Sequence, residues 1–138
     1  MKTFKTVIFV KPTPKGRPRA CIRGKHAGMY TPKETQTAEA DIKAAIRSKS
    51  QEEVFFDADA ALAVTAVFWI EKPKSVPKKR IFPTKKPDVD NLAKLLMDSL
   101  NGYLFHDDSQ VVNSHFRKRY CLDGQVPRIE LEISEEVL

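Results

Sequence analysis

Asp88, Asp90, Lys94, Asp107 and Asp108 crowd into one stretch of an otherwise basic chain. The stretch runs Lys86-Pro87-Asp88-Val89-Asp90-Asn91-Leu92-Ala93-Lys94-Leu95-Leu96-Met97-Asp98, with an echo at His106-Asp107-Asp108-Ser109-Gln110-Val111-Val112. Mg²⁺ takes oxygen ligands, keeps several of its waters, and is commonly held by one or two carboxylates together with substrate phosphates. Two or three aspartates meet that need, and a lysine nearby offers a point charge to a phosphate. Taken singly, each residue has a plainer explanation. Asp is a favoured N-cap and gains from the helix dipole there. Asp90 and Lys94 are spaced as an exposed i,i+4 pair, which contributes only about 0.3–0.5 kcal/mol. Together, two acids at a helix start, a lysine one turn on and a second acidic pair after a turn point to metal-dependent chemistry on a phosphate ester.

The elements that must position these side chains can be read from the same stretch. Pro87 disfavours helix in its predecessor and opens one comfortably, so Asp88 and Asp90 belong to a helix N-terminal turn. Leu92, Leu95, Leu96 and Leu100 then fall on one face, and Asp90, Lys94 and Asp98 on another. Asn101-Gly102 stops the helix, Tyr103-Leu104-Phe105 follows, and Val111-Val112 opens a strand just beyond Asp107-Asp108.

Lys and Arg exceed Asp and Glu, 24 against 18, giving a net charge of +6, and a basic domain binds polyanions through counterion release. Seven basic residues and no acid lie from Lys11 to Lys33, and seven more, again without an acid, from Lys72 to Lys86. A run of like charge is often only a solvated surface. Two such runs bracketing an acidic centre make Lys11, Lys15, Arg17, Arg19, Lys78, Lys79, Arg80, Lys85 and Lys86 candidate contacts for a nucleic-acid backbone.

The central stretch resembles the signature of the RusA family of Holliday junction resolvases, D-x-D-N-L-x-K followed after a short turn by D-D-x-Q-V-V. It is met here by Asp88-Val89-Asp90-Asn91-Leu92-Ala93-Lys94 and Asp107-Asp108-Ser109-Gln110-Val111-Val112 without a gap in register. The resemblance implies that Asp88, Asp90 and Asp108 are the metal-binding catalytic acids, Lys94 the essential helix lysine, and Asp107 an adjacent acid of lesser importance. It further implies four-way junction DNA as substrate, Mg²⁺ as cofactor and a homodimer as the working unit. The Lys15-Gly16-Arg17-Pro18-Arg19 run is similar to the N-terminal segment of phage-borne members, which favours a phage origin.

From the beginning of the chain, Thr3 to Val10 reads as a strand, and Pro12, Pro14, Gly16 and Pro18 then forbid regular pairing and leave an extended basic arm. Thr31-Pro32-Lys33-Glu34 has the form of a capping box with proline at the first helical position. It predicts a helix to about Ser50 with Ala38, Ile42, Ala45 and Ile46 as its apolar stripe. Gln51 to Asp59 reads as a connector. Ala61 to Ile70, apolar on both faces, reads as a central strand. The loop from Glu71 to Pro87 carries four prolines and is long enough to suggest a binding loop.

Gln110 to Tyr120 should be a long strand with Val112, Phe116 and Tyr120 on one side and Asn113, His115, Arg117 and Arg119 on the other. Ile129, Leu131 and Ile133 alternate in a last strand, and Ser134 to Leu138 should fray. The order β–α–β–α–β–β predicts an α+β fold, a mixed β-sheet with two helices packed on it, in a single domain spanning residues 1–138.

No apolar run approaches a bilayer span and the first residues lack a signal peptide's apolar stretch, so the expected location is cytoplasmic with no membrane partner. Cys21 and Cys121 lack C-x-x-C spacing and read as reduced thiols, and the scattered His26, His106 and His115 make a zinc site improbable. The expected function is Mg²⁺-dependent, structure-selective endodeoxyribonuclease action that resolves four-way junctions by paired symmetric nicks in recombination and repair. Two alternatives stand beside it: a non-catalytic DNA-binding recombination accessory protein, and a Mg²⁺-dependent hydrolase of small phosphate esters.

Overall fold

The computed structural model describes residues 2–50 and 54–138, so the first part of the connector at 51–53 lies outside the described residues. Strands β1 (Thr3–Ile8), β2 (Arg19–Arg23) and β3 (His26–Tyr30) precede helix α1 (Lys33–Lys49) and strand β4 (Leu62–Ile70). Helix α2 (Val89–Leu100), a 3₁₀ turn (Asp108–Gln110), and strands β5 (Val111–Tyr120) and β6 (Arg128–Glu135) complete the chain. The main sheet has the order β1-β6-β4-β5, mixed because β4 and β5 run parallel while the other pairs are antiparallel. A parallel pair needs a crossover, and α2 with its flanking segments supplies it.

Alternation sorts the strands into two faces. Phe4, Ile8, Leu62, Val64, Ala66, Phe68, Ile129, Leu131 and Ile133 are buried on one, against Ala38, Ile42 and Ile46 of α1 and Leu92, Leu95, Leu96 and Leu100 of α2. Leu96 and Leu100 are fully buried, so truncating either would cost roughly 2–5 kcal/mol. This packing makes α2 a rigid spar. The opposite face, with Thr65, His115 and Arg117 exposed and Val67, Trp69 and Arg119 half-buried, carries no helix. β4 is central as its sequence suggests, lying between β6 and β5, although its second face is only half covered.

The α+β architecture, the two helices and the mixed sheet match the expectation; several details do not. The arm expected to be extended from Lys11 onward folds, past Pro18, into the hairpin β2–β3, which pairs Arg19 with Tyr30 and Arg23 with His26 and forms a sheet of its own. Five-residue strands without an apolar–polar alternation give little period-2 signal, so the prolines dominated the reading. β1 ends at Ile8 rather than Val10, and β6 continues to Glu135, two residues into the expected frayed end. No capping box forms at Thr31. Pro32 is the N-cap, without a side-chain cap bond, and Gln36 instead donates through its backbone N–H to Pro32 O at 3.1 Å and through Nε2 to Thr31 O at 2.7 Å. Thr35 joins the buried stripe of α1, because its hydroxyl accepts the Gly16 N–H at 3.0 Å, while Ala45 is only half-buried.

Candidate active site

The start of α2 follows from its sequence. Asp88 is the N-cap, with extended backbone (φ −74°, ψ 143°), and its carbonyl accepts the Leu92 N–H at 3.2 Å, closing the first turn. Its side chain makes no cap bond. Asp90 lies in the same first turn, and both carboxylates are exposed at the positive end of the helix, where a negative charge is favoured. The side chains of Asp88, Asp90 and Asp108 enter no hydrogen bond or ion pair among the described residues. The i,i+4 pair of Asp90 with Lys94, the plainer explanation of their spacing, does not form. Lys94, 64% exposed, lies 3.9 Å from Asp98 instead, the acid one turn further along the same face.

Two lysines shape the approach to Asp88 by turning their charge inward. Lys118 lies on the helix-covered face of β5, between Phe116 and Tyr120. It donates from Nζ to Lys85 O at 2.7 Å and Pro87 O at 2.8 Å, fixing the peptide that leads into Asp88. Lys72 Nζ donates to Lys78 O at 3.1 Å and Arg80 O at 2.7 Å and lies 5.5 Å from the Tyr120 ring centroid, while Arg119 lies over the Phe82 ring. The 71–87 loop thus has a built shape, from which Lys78, Lys79, Arg80, Lys85 and Lys86 face solvent without an ion pair among the described residues.

The N-terminal arm is fastened to α2 across from that loop. Lys15 N–H donates to Asn91 O at 2.9 Å, and Lys15 Nζ pairs with Glu39 at 2.6 Å and Asp98 at 3.1 Å. Partial burial alone would lower the Lys15 pKa, but its bonds to Glu39 and Asp98 outweigh that and raise it above the ordinary lysine value. Gly16 passes so close to α1 that a Cβ there would lie 2.7 Å from Thr35 Oγ1, so no larger residue fits without a shift. Lys15 is therefore an anchor of the arm, whereas Lys11, Arg17 and Arg19 are exposed. Arm and loop enclose a groove of about 990 Å³ whose walls include Lys11, Arg17, Lys85 and Lys86, with Asp88 and Asn91 at its border.

The second acidic pair sits elsewhere. Asp107 caps the 3₁₀ turn in a full capping box: its side chain accepts from the Ser109 hydroxyl, and Gln110 Oε1 accepts from the Asp107 N–H at 3.1 Å and the His106 N–H at 2.8 Å. The Ser109 hydroxyl, with backbone N–H groups and Asn101 adding to it, holds the Asp107 carboxyl below its ordinary pKa. Gln110 Nε2 also donates to Asp57 O and Ala60 O, tying the turn to the segment before β4. Asp108, beside it, is exposed.

Asn101, the partner of Asp107, is the C-cap of α2, whereas Asp88 is its N-cap. The 12 residues of α2 separate the two ends by about 18 Å. β5 gives the same result from the other side: it starts beside the 3₁₀ turn and travels about 23 Å before Lys118 meets Pro87. The chain therefore brings Asp88, Asp90 and Lys94 together along α2 and places Asp107 and Asp108 at its far end. Among the described residues no three His, Cys, Asp or Glu side chains converge on a point that could hold a metal ion. The donor chemistry nonetheless fits a hard cation that keeps most of its waters: two adjacent, exposed, uncommitted carboxylates beside a cationic groove. It does not fit a closed, all-protein cage.

The residues that sequence reasoning passed over are the organisers. Lys118 carried a signal, a lysine at an inward-facing position of β5, as did Gln110, a polar residue opening a strand. Cys21 and Cys121 are free thiols, and burial pushes the Cys121 thiol up. No helix among the described residues is long and apolar enough to cross a membrane.

Comparison with known proteins decides the family. Residues 10–134 match the family model described as Endodeoxyribonuclease RusA, covering both basic segments, α2 and the second acidic pair. The chain belongs to the RusA family. RusA proteins are Holliday junction resolvases, and this one is accordingly an endodeoxyribonuclease of that class. It is also similar to the uncharacterized protein YqaN of Bacillus subtilis (strain 168), 31% identical over 143 residues that cover 98% of each chain. RusA nucleases are in general dependent on divalent metal.

Proposed function

We propose that this RusA protein is a Mg²⁺-dependent, structure-selective nuclease that nicks four-way junctions in pairs, working as a twofold homodimer in the cytoplasm. The observation that carries the reading is the placement of two exposed carboxylates, Asp88 and Asp90, in the first turn at the positive end of α2, with Asp88 lining a groove whose walls include Lys11, Arg17, Lys85 and Lys86. Asp88 and Asp90 would hold the metal together with Asp108 of a second copy, since Asp108 of the same chain lies at the far end of α2, and the metal when bound would supply an acidified water and neutralise charge on the phosphate.

The chain's own groups do the rest. Lys11, Arg17, Arg19, Lys78, Lys79, Arg80, Lys85 and Lys86 are exposed on the two segments beside the acids and would hold the backbones of the DNA arms. Lys15, locked to Glu39 and Asp98, would act by fixing the arm's path. Lys94, the exposed cation one turn beyond Asp90, would oppose the charge that develops on the scissile phosphate. Resolution needs two symmetric cuts, and one chain carries one set of these residues, which is the argument for a dimer.

The test is cleavage of a synthetic four-way junction beside matched duplex and single-strand controls, with and without Mg²⁺. Junction-selective paired nicking that needs Mg²⁺ supports the reading. Binding without cutting would leave a DNA-binding accessory protein, and turnover of small phosphate esters unaided by polymer would favour a general phosphoesterase.

A further inference from the structure

The loop between β4 and α2 carries two large apolar side chains that the core does not use. Ile81 is 73% exposed and Phe82 54% exposed, in the middle of the run Lys78-Lys79-Arg80-Ile81-Phe82-Pro83-Thr84-Lys85-Lys86. The pair is nonetheless held in place. Lys72 Nζ donates to Arg80 O at 2.7 Å immediately before it, Pro83 is buried immediately after it, and the Arg119 guanidinium lies 5.2 Å from the Phe82 ring centroid. β5 is an edge strand, and its consecutive residues Lys118 and Arg119 point to opposite faces. Lys118 holds Pro87 O on the helix-covered face while Arg119 meets Phe82 on the open face, so the loop passes round the edge of the sheet between them. Phe82 precedes Asp88 by six residues, a reach of no more than about 22 Å, or roughly six base steps of DNA.

We propose that Ile81 and Phe82 form a wedge that stacks on bases exposed at the branch point of a four-way junction, and that this contact lets the protein distinguish a junction from a duplex. The inference rests on the junction reading above and adds which residues sense the branch. An apolar side chain gains nothing from a phosphate, whereas every base offers a flat face on which an aromatic ring stacks. Within a duplex those faces are already stacked, and inserting a side chain between them costs free energy. At a branch point the stack is interrupted, so the same insertion costs least there. The surrounding charge favours DNA as the occupant over a second copy of the chain. Lys78, Lys79, Arg80, Lys85 and Lys86 are all exposed around the pair, and none enters an ion pair among the described residues. Two copies meeting at this tip would set cations against cations, whereas the same cations attract the phosphates on either side of a base. With Arg119 against the Phe82 ring and the backbone fixed before and after it, the wedge is ordered before DNA arrives, which spares the cost of ordering it on binding.

The test compares wild type with the double variant Ile81→Ala, Phe82→Ala on a four-way junction carrying 2-aminopurine beside the branch point and on a duplex carrying it in mid-strand, both without Mg²⁺ so that nothing is cut. Wild type should raise the 2-aminopurine emission on the junction, because the probe leaves its neighbouring bases, and the double variant should not. Junction affinity should fall roughly tenfold in the double variant while duplex affinity stays within about twofold of wild type. A thermal melt should show wild-type stability, because both side chains are more than half exposed. Phe82→Trp, which keeps an aromatic face, should retain both the emission change and the junction preference. Should the double variant melt early, Ile81→Ala alone, at the more exposed position, should show the same selective loss in smaller measure.

Equal losses on junction and duplex would make the pair an ordinary backbone-binding element and overturn the proposal, as would unchanged affinity for both. A double variant that instead sediments differently from wild type without DNA would show that the tip covers a second copy, which also overturns it. So would a wild type that binds junction and duplex alike, since no preference would then exist to explain. A wild type that prefers the junction and raises the 2-aminopurine emission, yet cuts nothing when Mg²⁺ is added, would count against the nuclease reading alone.

Discussion

The two ends of α2 carry the same residue type in the same formal role and use it differently. Asp88 occupies an N-cap position but accepts no helix N–H with its side chain, whereas Asp107 commits its carboxylate to Ser109, Asn101 and the backbone of its turn. The neighbouring acids divide in the same way, since the side chains of Asp90 and Asp108 make no bond among the described residues while Asp98 is held by Lys15 and approached by Lys94. An aspartate in a helix start is thus a structural cap or an available ligand according to what surrounds it. The division sorts the acids into those that should matter for chemistry and those that should matter for stability.

The largest expected effect would break the comparison if it failed. Asp88→Asn, Asp90→Asn or Asp108→Asn should reduce single-turnover junction cleavage by a factor on the order of 10²–10³ or more, in line with the loss of one electrostatic group from a reacting centre. Junction binding should hold or tighten, because each change removes a negative charge from a basic surface. Asp107→Asn should cut at a rate within a few-fold of wild type. Equal losses at all four positions would show that committed and uncommitted acids do not differ in function.

Lys94→Ala comes next. As a partner of Asp98 at 3.9 Å and largely exposed, Lys94 can contribute less than about 1 kcal/mol to stability. A contact to the scissile phosphate would instead cost roughly a hundredfold in rate. A thermal melt run beside single-turnover cleavage separates the two, and a rate unchanged from wild type would place Lys94 with the structural residues.

Lys118→Met sharpens the comparison at the Asp88 end, where order is imposed from outside the helix. Losing an ammonium that serves two carbonyls should destabilise the fold by about 1.5–3 kcal/mol. Because Pro87 O belongs to the peptide entering Asp88, the Mg²⁺ concentration for half-maximal cleavage should also rise, and Lys118→Arg should restore part of it. A stability loss with an unchanged Mg²⁺ requirement would make Lys118 a purely structural residue.

The smallest effect concerns pH. The Asp107 carboxyl has a lower pKa folded than unfolded, so its contribution is fully present above the unfolded value and is lost as pH falls through the folded value. Ser109→Ala should therefore lower the melting temperature slightly at neutral pH and not at all at strongly acidic pH. Lys15 behaves with the opposite sign: its raised pKa gives stability that is complete below the unfolded lysine value and fades as pH rises through the folded one. Lys15→Met should accordingly differ from wild type at neutral pH and converge with it in strong alkali, as followed by thermal melts.

Much of this was legible in the residues themselves, because it depends on local periodicity and spacing. The leucines of α2, the alternation in β4 and β6, and the stripe of α1 each repeat at the period of the element they form, and α+β order follows from their sequence, whereas in β5 a register shift beside Val111 leaves Val112 exposed instead of on the side of Phe116 and Tyr120. The acid motif carried the resemblance to the family, and the acids and the two basic runs supplied the candidate groups, since residue type and spacing along the chain suffice for that. Long-range choices were hidden. Whether Lys94 pairs with Asp90 or Asp98, whether Lys15 reaches solvent or Glu39, and which carbonyls Lys118 serves depend on segments that are remote in sequence and meet only in the folded chain. The separation of Asp88 from Asp108 belongs to the same class. Twenty residues of sequence allow the two acids to touch or to stand far apart, and only the burial of α2 and its antiparallel course against β5 set them at opposite ends of a rigid helix.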